Sequence, residues 1–184
     1  MNNIIVISGP SGSGKGTVAH QLIKRLASRL IWSKTATTRP IRNDDIDLSR
    51  RIFLNETDFF KAVRSGDIIE HIKYNDHYYG TLRSELEKIL STNANALLEI
   101  DIDGALKIKD LYGEKAKLIF LKVPISQLRS RLEARGMAEK DIKTRLLIAE
   151  EEFTKSDKCD LIVDNIDNQL EDTVEQITNY LKKL

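Results

Sequence analysis

The run Ile4-Ile5-Val6-Ile7-Ser8-Gly9-Pro10-Ser11-Gly12-Ser13-Gly14-Lys15-Gly16-Thr17 constrains this chain more than any other stretch. Its β-branched apolar residues, stopped by Ser8-Gly9-Pro10, read as a short strand buried on both faces. From Lys15 onward the pattern changes: Val18, Leu22, Ile23, Leu26 and Leu30 recur at helical spacing, with His20, Lys24 and Arg25 between them. Between strand and helix lies G-x-x-x-x-G-K. The glycines let the backbone curl so that successive N–H groups point inward. Those donors, with the positive end of the following helix, bind phosphate oxygens. Gly9, Pro10, Ser11, Gly12, Ser13, Gly14, Lys15, Gly16 and Thr17 are therefore expected to cradle the phosphates of a nucleotide, with Lys15 reaching the terminal ones. The bland alternative is an ordinary glycine turn. A buried strand before the motif and an amphipathic helix after it are the context that favours the phosphate loop.

The same grammar continues. Leu97 to Ile102, Leu118 to Val123 and Leu161 to Val163 read as further buried strands. Helical patterns cover Leu82 to Leu90, Ile125 to Arg135 and Ile142 to Phe153, and a last helix carries Leu170, Val174, Ile177 and Leu181. Alternation of this kind predicts an α/β fold of three layers, a parallel sheet with helices on both faces. At 184 residues one domain is expected. A composition of 41% hydrophobic and 31% charged residues supports a sizeable core. The 29 basic and 28 acidic residues nearly cancel, so no global attraction to nucleic acid or membranes is expected. No apolar run is long enough to span a bilayer, Met1-Asn2-Asn3 lacks a basic leader, and the lone Cys159 forms no internal disulfide. A cytoplasmic protein is the expectation. His20, His71 and His77 lack metal-ligand spacing, Cys159 reads as a small packing residue, and Trp32 reads as core or hinge.

Two regions break the alternation, and both are expected to sit over the mouth of the sheet. Ser33 to Tyr79 holds Thr37-Thr38-Arg39, Arg42, a charged stretch up to Arg51, a helical run Thr57 to Val63, and Ile69-Glu70. Arg129 to Arg145 is arginine-rich, with a break at Gly136. Glu99, Asp101 and Asp103 alternate, so they would share one face if their strand stays extended. Carboxylates at the carboxyl end of such a strand stand where open α/β sheets bind ligands. A carboxylate accepts two adjacent N–H donors of a ligand at once, and Glu70 and Asp101 are reasonable readers of such an edge.

Gly14-Lys15-Gly16-Thr17 resembles the loop ending of nucleoside monophosphate kinases. With Thr37-Thr38-Arg39 and Arg42, Ile69-Glu70, Tyr78-Tyr79-Gly80-Thr81, Leu98-Glu99-Ile100-Asp101, Leu132-Glu133-Ala134-Arg135-Gly136 and Leu161-Ile162-Val163 in order, the chain resembles the guanylate kinase family along nearly its whole length. The resemblance implies transfer of phosphate from ATP to GMP, with dGMP a second acceptor. It implies a core of residues 1–34, 85–125 and 158–184, a GMP-binding segment 35–84 and a lid 126–157. Thr35, Glu70, Thr81 and Asp101 would read the base. Arg39, Arg42 and Tyr79 would hold the acceptor phosphate. Lys15, Arg39, Arg131, Arg135 and Arg145 would carry the transfer. Mg²⁺ would come with ATP.

Some positions depart from the family pattern. Gly16 replaces the Ser or Thr that usually ligates Mg²⁺, so the ion would be held mainly by nucleotide and water, with no protein metal ligand expected. Arg51 falls where a phosphate-binding Tyr is usual, Asp103 where Gln is usual, and Asp164-Asn165 inverts the usual Asn-Asp. Two rivals remain at this level. One is a related P-loop kinase with another acceptor, such as a ribose bisphosphate kinase. The other is a guanylate-kinase-like binding module without catalysis, against which the intact Lys15 and its glycines speak.

Overall fold

Ile4, Ile5, Val6 and Ile7 are wholly buried, as a strand covered on both faces must be. They form β1 (Ile4–Ser8), which opens a computed structural model that describes residues 2–41, 50–74 and 76–184. In chain order there follow α1 (Lys15–Leu26), β2 (Leu30–Trp32), β3 (Thr35–Thr37), β4 (Arg51–Phe53), α2 (Glu56–Ser65), β5 (Ile68–Tyr74), β6 (His77–Leu82) and α3 (Arg83–Leu90). Then come β7 (Asn95–Glu99), α4 (Ile102–Tyr112), β8 (Ala116–Lys122), α5 (Ile125–Ala134), α6 (Glu139–Thr154), β9 (Leu161–Asp164) and α7 (Leu170–Leu181). No helix among the described residues is long and apolar enough to cross a membrane.

The expected parallel sheet is present, in the order β2-β7-β1-β8-β9, and every pair in it is parallel. One apolar cluster joins β1, β7 and β8 to α1 and α7 through Ile5, Leu22, Leu97, Ile119, Val174 and Ile177. On the other face Ile4, Leu86, Leu98, Ala105, Ile108 and Leu118 join the sheet to α3 and α4. Thus β1 and β7 are neighbours whose helices, α1 and α4, leave to opposite faces. That arrangement opens a crevice at the carboxyl ends of the two strands, the usual ligand position in an open α/β sheet.

Beside it stands a smaller sheet, β4-β3-β6-β5, which strand-length patterns do not announce. Its outer face packs Ala36, Ile68, Leu82 and Tyr78 against Phe59 of α2. The helices α5 and α6 have their own cluster, with Leu128, Leu132, Ile142 and Leu146 at its centre.

Two expectations are corrected. The strand at Leu97 ends at Glu99, not at Ile102, because Asp101 caps α4: its Oδ1 accepts the Gly104 N–H at 3.0 Å. Glu99, Asp101 and Asp103 therefore do not share the face of one extended strand. Asp103 lies in the first turn of α4 and pairs with Lys155 at 2.8 Å. The second correction is α4 itself, for which the sequence pattern gave no helix between the second and third strands.

Candidate active site

Gly14 caps α1 in the left-handed region, at φ 86°, and no side chain caps the helix. The N–H groups of its first turn are thus left for an anion. Two approaches explain why glycine stands here. A methyl group on Gly9 would meet the Leu121 carbonyl oxygen at 2.6 Å, and one on Gly14 would meet Asn165 Nδ2 at 2.6 Å. Asn165, noted in the sequence only as half of an inverted Asp-Asn pair, has a structural role that the sequence did not show. Its buried side-chain amide donates to the Ser13 carbonyl at 2.7 Å and accepts from Thr173 Oγ1 at 3.1 Å, tying the phosphate loop to α7.

Lys15 Nζ donates to the Gly9 and Pro10 carbonyls at 2.6 and 3.0 Å. Burial pulls its pKa below the usual lysine value, while Glu99, Glu152 and Asp101 act in the opposite direction. A cleft of about 430 Å³ adjoins the loop, lined by Gly12, Gly14 and Thr17, by Arg131 and Arg135 of the α5 end, and by Asn165 to Asn168. Arg131 is anchored there. It donates to the Gly12 carbonyl at 3.1 Å, the Asn165 carbonyl at 2.8 Å and Asp167 Oδ1 at 2.7 Å. Arg135 closes α5 at its C-terminal end.

The space beside Gly16 faces Glu99. A methyl group on Gly16 would lie 3.5 Å from Glu99 Oε2, so the missing side chain leaves room in front of a carboxylate at the end of β7. Among the described residues no group of three or more His, Cys, Asp or Glu is placed to hold a metal ion. One carboxylate beside a phosphate loop nevertheless suits Mg²⁺, which takes one or two carboxylates and completes its shell with phosphate oxygens and water.

The small sheet builds the facing wall. Arg51 pairs with Thr35, Thr35 with Thr81, and Thr81 with Glu70, so these four residues make one row across β4, β3, β6 and β5. Paired residues present the same face. Two residues along, Phe53, Thr37, Tyr79 and Ile72 make the next row on that face. Tyr78 points the other way and packs with Phe59 and Phe60.

Glu70 is 4% exposed and accepts a short hydrogen bond from Thr81 Oγ1. Burial raises its pKa above the ordinary carboxylate value, and Asp101 adds to that rise; Thr81 and Lys107 oppose it. Its Oε2 would stand 2.9 Å from a methyl group on Gly104, so Glu70 meets the amino end of α4, which Asp101 caps. The two sequence-predicted base readers are thus brought together, with Asp101 engaged in a cap. Arg39 is 6% exposed, donates to the Pro40 carbonyl at 2.8 Å and lies over the Phe53 ring at 5.7 Å. Arg51 lies over Tyr79 at 5.6 Å. Arg145 reaches this sheet from α6, over the Tyr74 ring at 4.2 Å. Arg42 and the stretch Asn43 to Ser49 fall outside the described residues.

Glu152 of α6 is a further group that sequence reasoning passed over. Burial pushes its pKa up to about 7, Lys15 works against that rise, Asp101 and Asp103 add to it, and its Oε2 has no hydrogen-bond partner among the described residues. A phosphate cradle and a carboxylate-and-guanidinium wall therefore face one crevice, with Arg131 and Arg135 of the α5 end beside the first and Arg145 of α6 beside the second.

The family described as Guanylate kinase matches residues 1–184. A guanylate kinase of Salinibacter ruber is 36% identical over 184 residues, covering 97% of this chain and 97% of that protein. One of Porphyromonas gingivalis is 38% identical over 180 residues, covering 96% and 95%. Among solved structures, the guanylate kinase from Anaplasma phagocytophilum matches with a TM-score of 0.78 at 28% identity, covering 99% of this chain and 85% of that one. A gluconokinase from Sinorhizobium meliloti matches with a TM-score of 0.54 at 17% identity, which is a likeness of fold alone.

Proposed function

Since the chain belongs to the guanylate kinase family and is an ATP:GMP phosphotransferase, we propose that its small sheet reads GMP while its phosphate loop holds ATP, with transfer across the crevice between them. The observation that carries this assignment is the row Thr35, Thr81, Glu70, which sets two hydroxyls and a buried carboxylate side by side on one strand face. Ionised, Glu70 accepts the adjacent N–H donors of guanine, and Thr35 and Thr81 supply the remaining polar contacts. Asp101 supports the same edge from the α4 cap.

Arg39, Arg42 and the Tyr79 hydroxyl take the acceptor phosphate, and Arg51 joins them from the same face as Tyr79. Arginine suits this task because its planar fork matches phosphate oxygens. The acceptor phosphate oxygen is itself the nucleophile, so no side chain forms a covalent bond. Catalysis is positioning and charge stabilisation. Lys15 leaves the Gly9 and Pro10 carbonyls for the ATP phosphates, and the first-turn N–H groups of α1 bind beside it. Arg131, Arg135 and Arg145 gather charge around the transferring group and help exclude water. Glu99 would hold Mg²⁺ through the space at Gly16, directly or through water. When bound there, Mg²⁺ would supply charge neutralisation at the phosphates.

The division into a core of residues 1–34, 85–125 and 158–184, a GMP segment 35–84 and a lid 126–157 belongs to this proposal. So do dGMP as a second acceptor and a cytoplasmic setting. The test is a coupled ADP assay with ATP, Mg²⁺ and a panel of GMP, dGMP, AMP, CMP, UMP and ribose bisphosphate. GMP and dGMP are expected to turn over, and Lys15→Ala to abolish both. Equal turnover of AMP and GMP would remove the base-reading role of the small sheet.

A further inference from the structure

The segment that reads GMP and the helix that brings Arg145 meet at a residue the reaction has not used. Tyr74 ends β5, and the Arg145 guanidinium carbon stands 4.2 Å from its ring centroid. Tyr74 lies on the strand face that carries Glu70 and Ile72. Its ring stands edge-on to Tyr79, with centroids 6.3 Å apart and planes at 73°. Tyr79 in turn carries Arg51, at 5.6 Å. Two cations and two rings run from α6 to the acceptor sheet in the order Arg145, Tyr74, Tyr79, Arg51.

We propose that Tyr74 is a positioning residue for phosphoryl transfer, seating the Arg145 guanidinium one ring away from the Tyr79 hydroxyl. The inference rests on the roles given above to Arg145 and Tyr79. A ring suits such a seat better than a carboxylate does. It attracts the cation through its face by quadrupole and takes up none of the in-plane N–H groups. A carboxylate would neutralise the guanidinium and compete with phosphate for its fork. The rigid ring also fixes direction, because it has few rotamers to lose. Arg145 therefore approaches the acceptor phosphate from a defined place on β5.

The test uses Tyr74→Leu, which keeps apolar volume and removes the ring face, and Tyr74→Phe, which keeps the face. Steady-state constants for GMP and ATP are measured in each, and again with Arg145→Ala. Tyr74→Leu is expected to lower kcat/KM for GMP by about five- to tenfold, in line with one cation–ring contact. The ATP KM should stay unchanged. Tyr74→Phe should match the parent, and Tyr74→Leu should add nothing in the Arg145→Ala background. A loss of the same size in that background would mean that Tyr74 supports the sheet and not the arginine, and would overturn the proposal. So would a Tyr74→Leu enzyme equal to the parent, or a Tyr74→Phe enzyme as weak as Tyr74→Leu. Should Arg145→Ala itself cost nothing, the role of Arg145 in transfer fails, and the seat with it. A costly Arg145→Ala beside a silent Tyr74→Leu removes the seat alone.

Discussion

The proposed reading needs a charged Glu70 to accept the N–H groups of guanine, yet Glu70 sits where burial resists charge. Its raised pKa means that a fraction of the substrate-free enzyme carries the proton as pH falls. A protonated Glu70 loses an acceptor, so the GMP KM should rise on acidification while the ATP KM stays flat. In Glu70→Gln the amide N–H₂ replaces one acceptor. The GMP KM is expected to rise by about 10- to 100-fold, the worth of hydrogen bonds to a charged group, and its acid limb should vanish. Steady-state kinetics over a pH series from neutral into acid decide this. Arg51 gives a second residue-scale outcome. If its guanidinium meets the acceptor phosphate, Arg51→Ala weakens GMP by about tenfold and leaves guanosine binding unaltered, since guanosine has no phosphate. Titration calorimetry with both ligands separates that role from general support of β4. The roles proposed for Lys15, Glu70 and Thr81 were readable from short motifs because they depend on local spacing. Glu99 was legible as a carboxylate at the ligand end of its strand, but not its proposed metal role, because that comes from the space Gly16 leaves opposite it, and two segments distant in sequence create that space.

At the scale of elements, the phosphate loop is held from outside. Asn165 reaches it from the end of β9, and Arg131 reaches it from α5. Gly14→Ala would put a methyl group 2.6 Å from Asn165 Nδ2 on a residue at φ 86°, so both strain and clash act on the loop. The expected outcome is a lower melting temperature and an ATP KM raised by at least about tenfold, with guanosine binding intact. The direction follows from the cost of placing a side chain in the left-handed region. Gly104→Ala tests the other wall. Its methyl group would meet Glu70 Oε2 at 2.9 Å and should displace that carboxylate, raising the GMP KM without touching ATP. The sequence showed four of the five parallel strands and most of the helices because stretches such as Ile4 to Ile7 and Leu118 to Val123 are apolar and bounded by turn residues, whereas β2 is short and its Leu30 falls at the spacing of the preceding helix. It did not show the small sheet, since β3 and β4 have three residues each and too little length for a period. Their pairing is fixed by register with β6 and by Phe59 beneath. The α4 start was hidden for a related reason. Asp101 reads equally well as a strand carboxylate or a helix cap until the chain is folded, and the cap won.

The whole molecule joins its core and its α6 segment through unlike charges under burial. Lys15 on the phosphate loop and Glu152 on α6 act on one another's ionisation, and burial opposes the charged form of each. Glu152 titrates at about 7 in the folded chain, against 4.5 for the free side chain. The folded state therefore holds a proton that the unfolded state has released over that interval. By linkage, this group's contribution to stability is full below about 4.5, declines as pH rises, and is lost above about 7. Lys15 slopes the other way. Its lowered pKa contributes stability that grows as pH climbs toward 10.5. The share of the carboxylate can be isolated by a variant. Replacing it by Glu152→Gln removes the buried charge without removing the volume. The nucleotide-free variant should melt higher than the parent at pH 8, by an amount on the order of 1–2 kcal/mol after allowance for solvent screening. The gap should shrink toward pH 5, where the parent is already protonated. Calorimetric melting of both proteins across that range measures the difference directly. Parallel curves would mean that Glu152 is solvated and that α6 does not press its carboxylate into the core.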